Sequence, residues 1–153
     1  MRTVVAFLLI LCTDVYGQTN PALRPPRDIT ALSGWWYGAH LERRSSCEGD
    51  PNNGLHATYS VYLFSFDPPT HSMSITENAV NGLTCNWQGT YRDDGGATAL
   101  SGTLTCSDGR SGTFTAPGPF VISTLMSLRV AVKLSGTESC SIDAIVSGAR
   151  FEN

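Results

Sequence analysis

Lysine is almost absent from this chain: Lys133 stands alone, and ten Lys and Arg face thirteen Asp and Glu for a formal charge of −3. A nucleic-acid partner calls for clustered cations, and the one basic pair, Arg43-Arg44, reads as a solvated strand end. Long apolar runs are also missing after the first residues, so no stretch approaches the roughly 20 apolar residues that a membrane-spanning helix takes. There is no C-x-x-C, H-x-H, H-E-x-x-H or G-x-S-x-G, no phosphate-binding glycine loop and no N-x-S/T acceptor. These absences remove the usual zinc, thiol-redox, metalloprotease, serine-hydrolase and nucleotide-binding signatures. No catalytic set, metal site or cofactor is expected.

What is present begins with Met1 and Arg2, an apolar run from Thr3 to Cys12 and then Thr-Asp-Val-Tyr-Gly. That order of charge, apolar core and small residues is expected to be a secretory signal peptide, residues 1–17, with Val15 and Gly17 at the −3 and −1 positions. A proline-rich stretch follows, so residues 18–32 are expected to form an extended tail, and residues 33–153 a single β-domain. Once Cys12 leaves with the signal, Cys47, Cys85, Cys106 and Cys140 remain, an even number for an oxidising compartment. The protein is accordingly expected to be secreted or periplasmic.

The domain is rich in Thr, Ser, Gly, Val and aromatic residues. Strand-like runs fall near 34–44, 55–66, 71–76, 83–92, 98–106, 111–116, 126–134 and 142–151, separated by turn chemistry. The fold class is therefore all-β, an antiparallel eight-stranded meander, with a barrel preferred over a sandwich. In LTCNWQGTY, Leu83, Cys85, Trp87, Gly89 and Tyr91 alternate with polar residues. A two-residue turn at Asp94-Gly95 would set Trp87 opposite Gly102 and Cys85 opposite Leu104. At Asp108-Gly109 a two-residue loop would mix a core face with a wet one. A longer loop, pairing Leu104 with Phe114, restores the match, and turn chemistry explains the Asp-Gly pair without a site.

In a closed meander the first strand ends where the last begins, which brings Cys47 to Cys140. Cys85 and Cys106 share that rim on adjacent strands. The expected disulfides are thus Cys47 with Cys140 and Cys85 with Cys106, although the Asp94-Gly95 register leaves the second pair diagonal.

The segment LSGWWYG resembles the G-x-W signature on the first strand of lipocalins and related calycin barrels, with Gly34 and Trp36 as its ends. Arg150 matches the arginine that packs on that tryptophan in the family. The resemblance implies that Trp36, Gly38, His40 and Glu42 face the barrel interior, whereas hydrophobic alternation predicts that Trp35, Tyr37, Ala39 and Leu41 form the buried face. The Cys85-x-Trp87-x-Gly89-x-Tyr91 strand is also similar to uncharacterised small exported bacterial β-proteins, a likeness that implies no function.

His40, His56 and His71 form no metal motif, and the carboxylates of Asp50, Asp67, Asp93, Asp94 and Asp108 fall in turns. Aromatic residues concentrate in the first two strands, from Trp35 to Phe66. A non-enzymatic binding protein of calycin type is the resulting expectation, with Trp36, His40, Glu42 and Tyr59 as candidate ligand contacts. Its partner would be a small molecule, a carbohydrate or a protein. The alternative is a module that binds or inhibits another protein through rim loops or strand edges, and a hydrolase-type enzyme ranks below both.

Overall fold

Strand β1, Gly34–Ser45, carries two adjacent tryptophans, and the choice of which one turns inward sets the molecule. In the computed structural model, which describes residues 29–48, 53–93, 98–118, 120–122, 124–136 and 139–151, Trp36 is fully buried and Trp35 is 44% exposed. Two interactions hold this orientation. The Trp36 indole N–H donates to the Leu32 carbonyl at 2.8 Å, and the Arg150 guanidinium lies over the ring, 4.8 Å from its centroid. Arg150 also donates to the carbonyls of Ala31 and Ser33. Because strand side chains alternate, Gly38, His40, Glu42 and Arg44 follow Trp36 inward. The alternation reading of β1 is therefore reversed: Trp35, Tyr37, Ala39 and Leu41 lie outside.

The remaining strands are β2 (Gly54–Asp67), β3 (Ser72–Ala79), β4 (Thr84–Asp93), β5 (Thr98–Cys106), β6 (Arg110–Pro117), β7 (Phe120–Ile122), β8 (Leu125–Gly136) and β9 (Cys140–Arg150). All pairings are antiparallel, in the order β6-β5-β4-β3-β2-β1-β9-β8, and β6 pairs with β8 to close an eight-stranded barrel. The strand missed by sequence is β7, three residues that pair with the start of β8, Leu125 to Ser127. It follows the Ala-Pro-Gly-Pro punctuation of residues 116–119, in a stretch that reads as a loop.

Two registers differ from the sequence expectation. Strands β4 and β5 pair Cys85 with Cys106, Trp87 with Leu104 and Gly89 with Gly102. The connection thus takes the four residues 94–97, which lie outside the described residues, rather than a two-residue turn. The facing glycines account for this register: a Cβ on Gly102 would collide with the Gln88 carbonyl oxygen, so the two backbones approach where neither residue has a side chain. Strands β5 and β6 pair Leu104 with Gly112 and Gly102 with Phe114. Their loop is Ser107-Asp108-Gly109, with Gly109 at φ 87° as a three-residue hairpin requires. Asp108 caps it by accepting from the Arg110 backbone N–H at 3.2 Å.

The barrel has two unlike ends. At one, Ile29–Leu32 forms a 3-10 turn instead of the end of an extended tail, because Ile29 and Leu32 bury their side chains beneath Trp36. Tyr62, Phe64, Met73, Ile75, Tyr91, Leu100, Phe114 and Leu128 fill the lower half above this plug. Residues 1–28, with the expected signal peptide and most of the expected tail, lie outside the described residues. At the other end are the β1–β2, β3–β4, β5–β6 and β8–β9 connections and both disulfides, Cys47–Cys140 and Cys85–Cys106. The expected connectivity holds, and the observed register places Cys85 directly opposite Cys106, which removes the diagonal geometry.

Two stability outcomes follow. Trp36→Ala should cost about 3–5 kcal/mol, the usual range for emptying a buried aromatic site, while Trp35→Ala should cost below about 1 kcal/mol; urea titrations of both variants measure the contrast. The two bridges span 93 and 21 residues. Chain entropy assigns them about 4.5 and about 3 kcal/mol, so a Cys47→Ser/Cys140→Ser variant should melt below a Cys85→Ser/Cys106→Ser variant in calorimetry.

Candidate functional site

Above Trp36 the barrel is not filled. A cavity of about 380 Å³ runs from the buried Glu77 to the exposed Asn81, and so opens at the disulfide end. Its two walls differ. Strands β5, β8 and β9 contribute Leu104, Val130, Val132, Leu134 and Ile142, an aliphatic surface. Strands β1 to β3 contribute His40, Glu42, Arg44, Thr58 and Glu77. A groove of about 530 Å³ on the outside of β6, β8 and β9 is shallower, and the Arg129–Asp143 ion pair beside it is solvent-exposed.

Glu77 is the hub of the polar wall. Its Oε1 accepts from the Ser60 hydroxyl at 2.9 Å and the Tyr62 hydroxyl at 3.3 Å, and its Oε2 accepts from the Trp87 indole N–H at 3.1 Å. His40 lies between two carboxylates, with Nε2 3.1 Å from Glu42 Oε2 and Nδ1 3.7 Å from Glu77 Oε1. These are charge contacts, since neither ring nitrogen has a hydrogen-bond partner among the described residues. The Arg44 Nε–H donates to the other oxygen of Glu42.

Burial by itself would lower the His40 pKa, but the carboxylates of Glu42 and Glu77 outweigh it and raise the group to about 9. For Glu42 burial pushes upward, and His40 together with Arg44 prevails and holds it at about 2. Burial first, then the Glu77 charge, pushes the Tyr62 phenol far above its ordinary range. At neutral pH the polar wall therefore holds the ionised Glu42 carboxylate beside an imidazolium. Buried ions of this kind cost several kcal/mol each to desolvate, and their concentration in a cleft makes the cavity the candidate site.

Of the four candidate contacts, His40 and Glu42 line the cavity. Trp36 lies below it, within the apolar plug, and Tyr59 is on the outer surface, 52% exposed and stacked against Tyr37. Tyr59 points outward because it pairs with Ala39, on the outer parity of β1. His56, opposite Glu42, does line the cavity. Glu77 and Trp87 were not singled out as contacts by sequence. Met73, Ile75, Glu77 and Ala79 share one parity of β3, so a lone carboxylate on an apolar strand face was the available signal. Among the described residues, no group of three or more His, Cys, Asp and Glu is arranged to hold a metal ion, and no helix is long and apolar enough to cross a membrane.

No protein-family model matches the chain, and no curated protein matches it. Among solved structures it is similar to a protein of unknown function from the DUF3598 family of Nostoc punctiforme, at 16% identity and a TM-score of 0.49. The match covers 85% of this chain and 51% of the other, so the chain spans about half the length of that protein.

The charge contacts predict a pH profile. His40 is raised in the folded state, so its contribution is complete below pH 6.5 and is lost as pH rises through about 9. Glu42 is lowered, so its contribution is complete above pH 4.5 and is lost as pH falls through about 2. Unfolding free energy should therefore be greatest between pH 4.5 and 6.5. The alkaline fall should be of the order of 3 kcal/mol and should be missing from His40→Gln. An undiminished alkaline fall in that variant would rule out the His40 contacts as its source.

Proposed function

We propose that the chain is an exported small-molecule binding protein of calycin type, which holds its ligand in the half-empty barrel. The observation that carries this reading is the cavity itself. Protein interiors are close-packed, yet here about 380 Å³ lies between an aliphatic wall and a charged one. That volume falls in the usual range of ligand pockets and would hold roughly a dozen waters at about 30 Å³ each. Support for calycin type comes from Trp36 facing inward beneath the Arg150 guanidinium, the arrangement that the G-x-W resemblance implies. Support for export comes from the two disulfides, which persist in oxidising compartments, and from the signal-like order of residues 1–17.

Binding is favoured over catalysis by the direction of the pKa shifts. An efficient general acid or base titrates near the working pH, whereas His40 and Glu42 are driven apart to about 9 and about 2. Each charge is held by a neighbour, which suits a fixed recognition surface more than a proton-transfer relay. A cavity lined by His40 also favours a ligand binder over a module acting through its rim loops.

A neutral dye whose fluorescence rises in apolar surroundings, N-phenyl-1-naphthylamine, should bind the oxidised protein with one site per chain. Val132→Trp, which places an indole inside the cavity, should abolish the signal without lowering the melting temperature by more than a few degrees. Equal dye binding by that variant would place the apolar site elsewhere and overturn the proposal.

A further inference from the structure

We infer that the cavity selects a neutral, largely apolar molecule that presents a hydroxyl group to Glu77. This rests on the cavity being the ligand site and adds the ligand's charge and head group.

The first argument is charge balance. On the polar wall, the carboxylates of Glu42 and Glu77 face His40 and Arg44, and His56 lines the cavity opposite Glu42. At the mouth, Arg110 is paired with Asp108 at 2.7 Å. An added charge would have no counterpart in this set, and an unpaired ion in a site withdrawn from water is costly. A carboxylate ligand would have to compete with Glu42 and Glu77 for His40 and Arg44, and an ammonium would have to compete with His40 and Arg44 for the carboxylates.

Hydrogen-bond capacity supplies the second argument. An ionised carboxylate accepts at about four lone-pair positions and donates nothing. Glu77 Oε1 is occupied by Ser60 and Tyr62, while Oε2 receives Trp87 Nε1 at 3.1 Å and has capacity left. The hub can therefore accept one further donor, and a hydroxyl is a neutral donor small enough to reach it beside the Trp87 indole. A hydroxyl bonded to an ionised carboxylate belongs to the stronger class of hydrogen bonds.

The opposite wall fixes the body of the ligand. Leu104, Val130, Val132, Leu134 and Ile142 offer no polar side chain, so the rest of the molecule must be hydrocarbon or aromatic. Beneath Trp87 the lining stays apolar, with Leu100, Phe114 and Leu128 around a second void of about 30 Å³. The hydroxyl is consequently expected at the Glu77 level of the polar wall, with the apolar body against β8 and β9.

Four probes on one skeleton test this by calorimetry at pH 7 with the full oxidised protein: 4-phenylphenol, biphenyl-4-carboxylate, 4-phenylbenzylamine and biphenyl itself. The expected result is that the phenol binds about tenfold or more tighter than either charged analogue. In Glu77→Gln the phenol should lose about tenfold while biphenyl binding is retained, which also shows that the variant has folded. Thr113→Val, on the exposed outer face of β6, serves as a second variant and should leave the order of the probes unchanged. A carboxylate or amine that matches the phenol would overturn the head-group assignment and leave the cavity as the ligand site. A phenol preference that survives Glu77→Gln would overturn the role of Glu77. Absence of binding by all four would overturn both this inference and the binding function.

Discussion

The inward turn of Trp36 is the constraint on which the rest depends. Its indole N–H is bonded to the Leu32 carbonyl, and its ring is covered by Arg150 from the last strand, so the two ends of the domain meet on one side chain. Strand parity then leaves no freedom, because a shift of one residue would move every β1 side chain to the other face. With Trp36 inside, His40, Glu42 and Arg44 are inside as well. Three ionisable groups enter the barrel as a consequence of packing one tryptophan, and Glu77, Ser60, Tyr62 and Trp87 are arranged to meet them. The pairing is what makes the burial tolerable, since a buried charge without its partner costs several kcal/mol.

A barrel that is largely packed below and hollow above has to hold its upper half by other means than core packing. The lower half is closed by aromatic and aliphatic contact around the plug. Above it the facing walls do not touch across about 380 Å³, and the contribution of cross-barrel contact is lost there. Both disulfides lie in that half, joining the end of β1 to the start of β9 and β4 to β5. Cys85 and Cys106 also line the cavity, so the covalent clasp and the pocket wall are partly the same atoms. The bridges let the mouth stay open without letting it come apart.

Much of the strand layout was legible because short alternating runs and turn residues are local signals. Eight of the nine strands among the described residues lie within a few residues of their expected bounds, and the rim argument paired Cys47 with Cys140 and Cys85 with Cys106 as found. The β4–β5 register was displaced by two residues, because the facing approach of Gly89 and Gly102 is a contact between strands that turn statistics do not contain. The buried face of β1 was misread for a related reason. Trp35, Tyr37 and Leu41 are more apolar than His40 and Glu42, and alternation assumes that the apolar side is inside. That assumption fails where an interior is built to hold charged groups. Half of the candidate site, His40 and Glu42, could be named from the family-like parity, while Glu77 became evident only when three strands brought its partners to it.

The same polar wall that makes the site recognisable also limits what it can do. Apolar residues in place of a buried ion set are often neutral or stabilising, so stability alone gives little reason to keep His40, Glu42 and Glu77 in a barrel. Their presence fits the proposed binding role, which calls for fixed dipoles and charges held in place at a chosen depth. Preorganisation lowers the cost of binding, because side chains already ordered lose little further freedom. Tight pairing has the opposite effect on proton transfer, since stabilising the imidazolium and the carboxylates together removes the driving force for exchanging a proton between them. On the proposed reading, the pairing that readies the cavity for recognition is the same pairing that opposes proton transfer between His40 and Glu42.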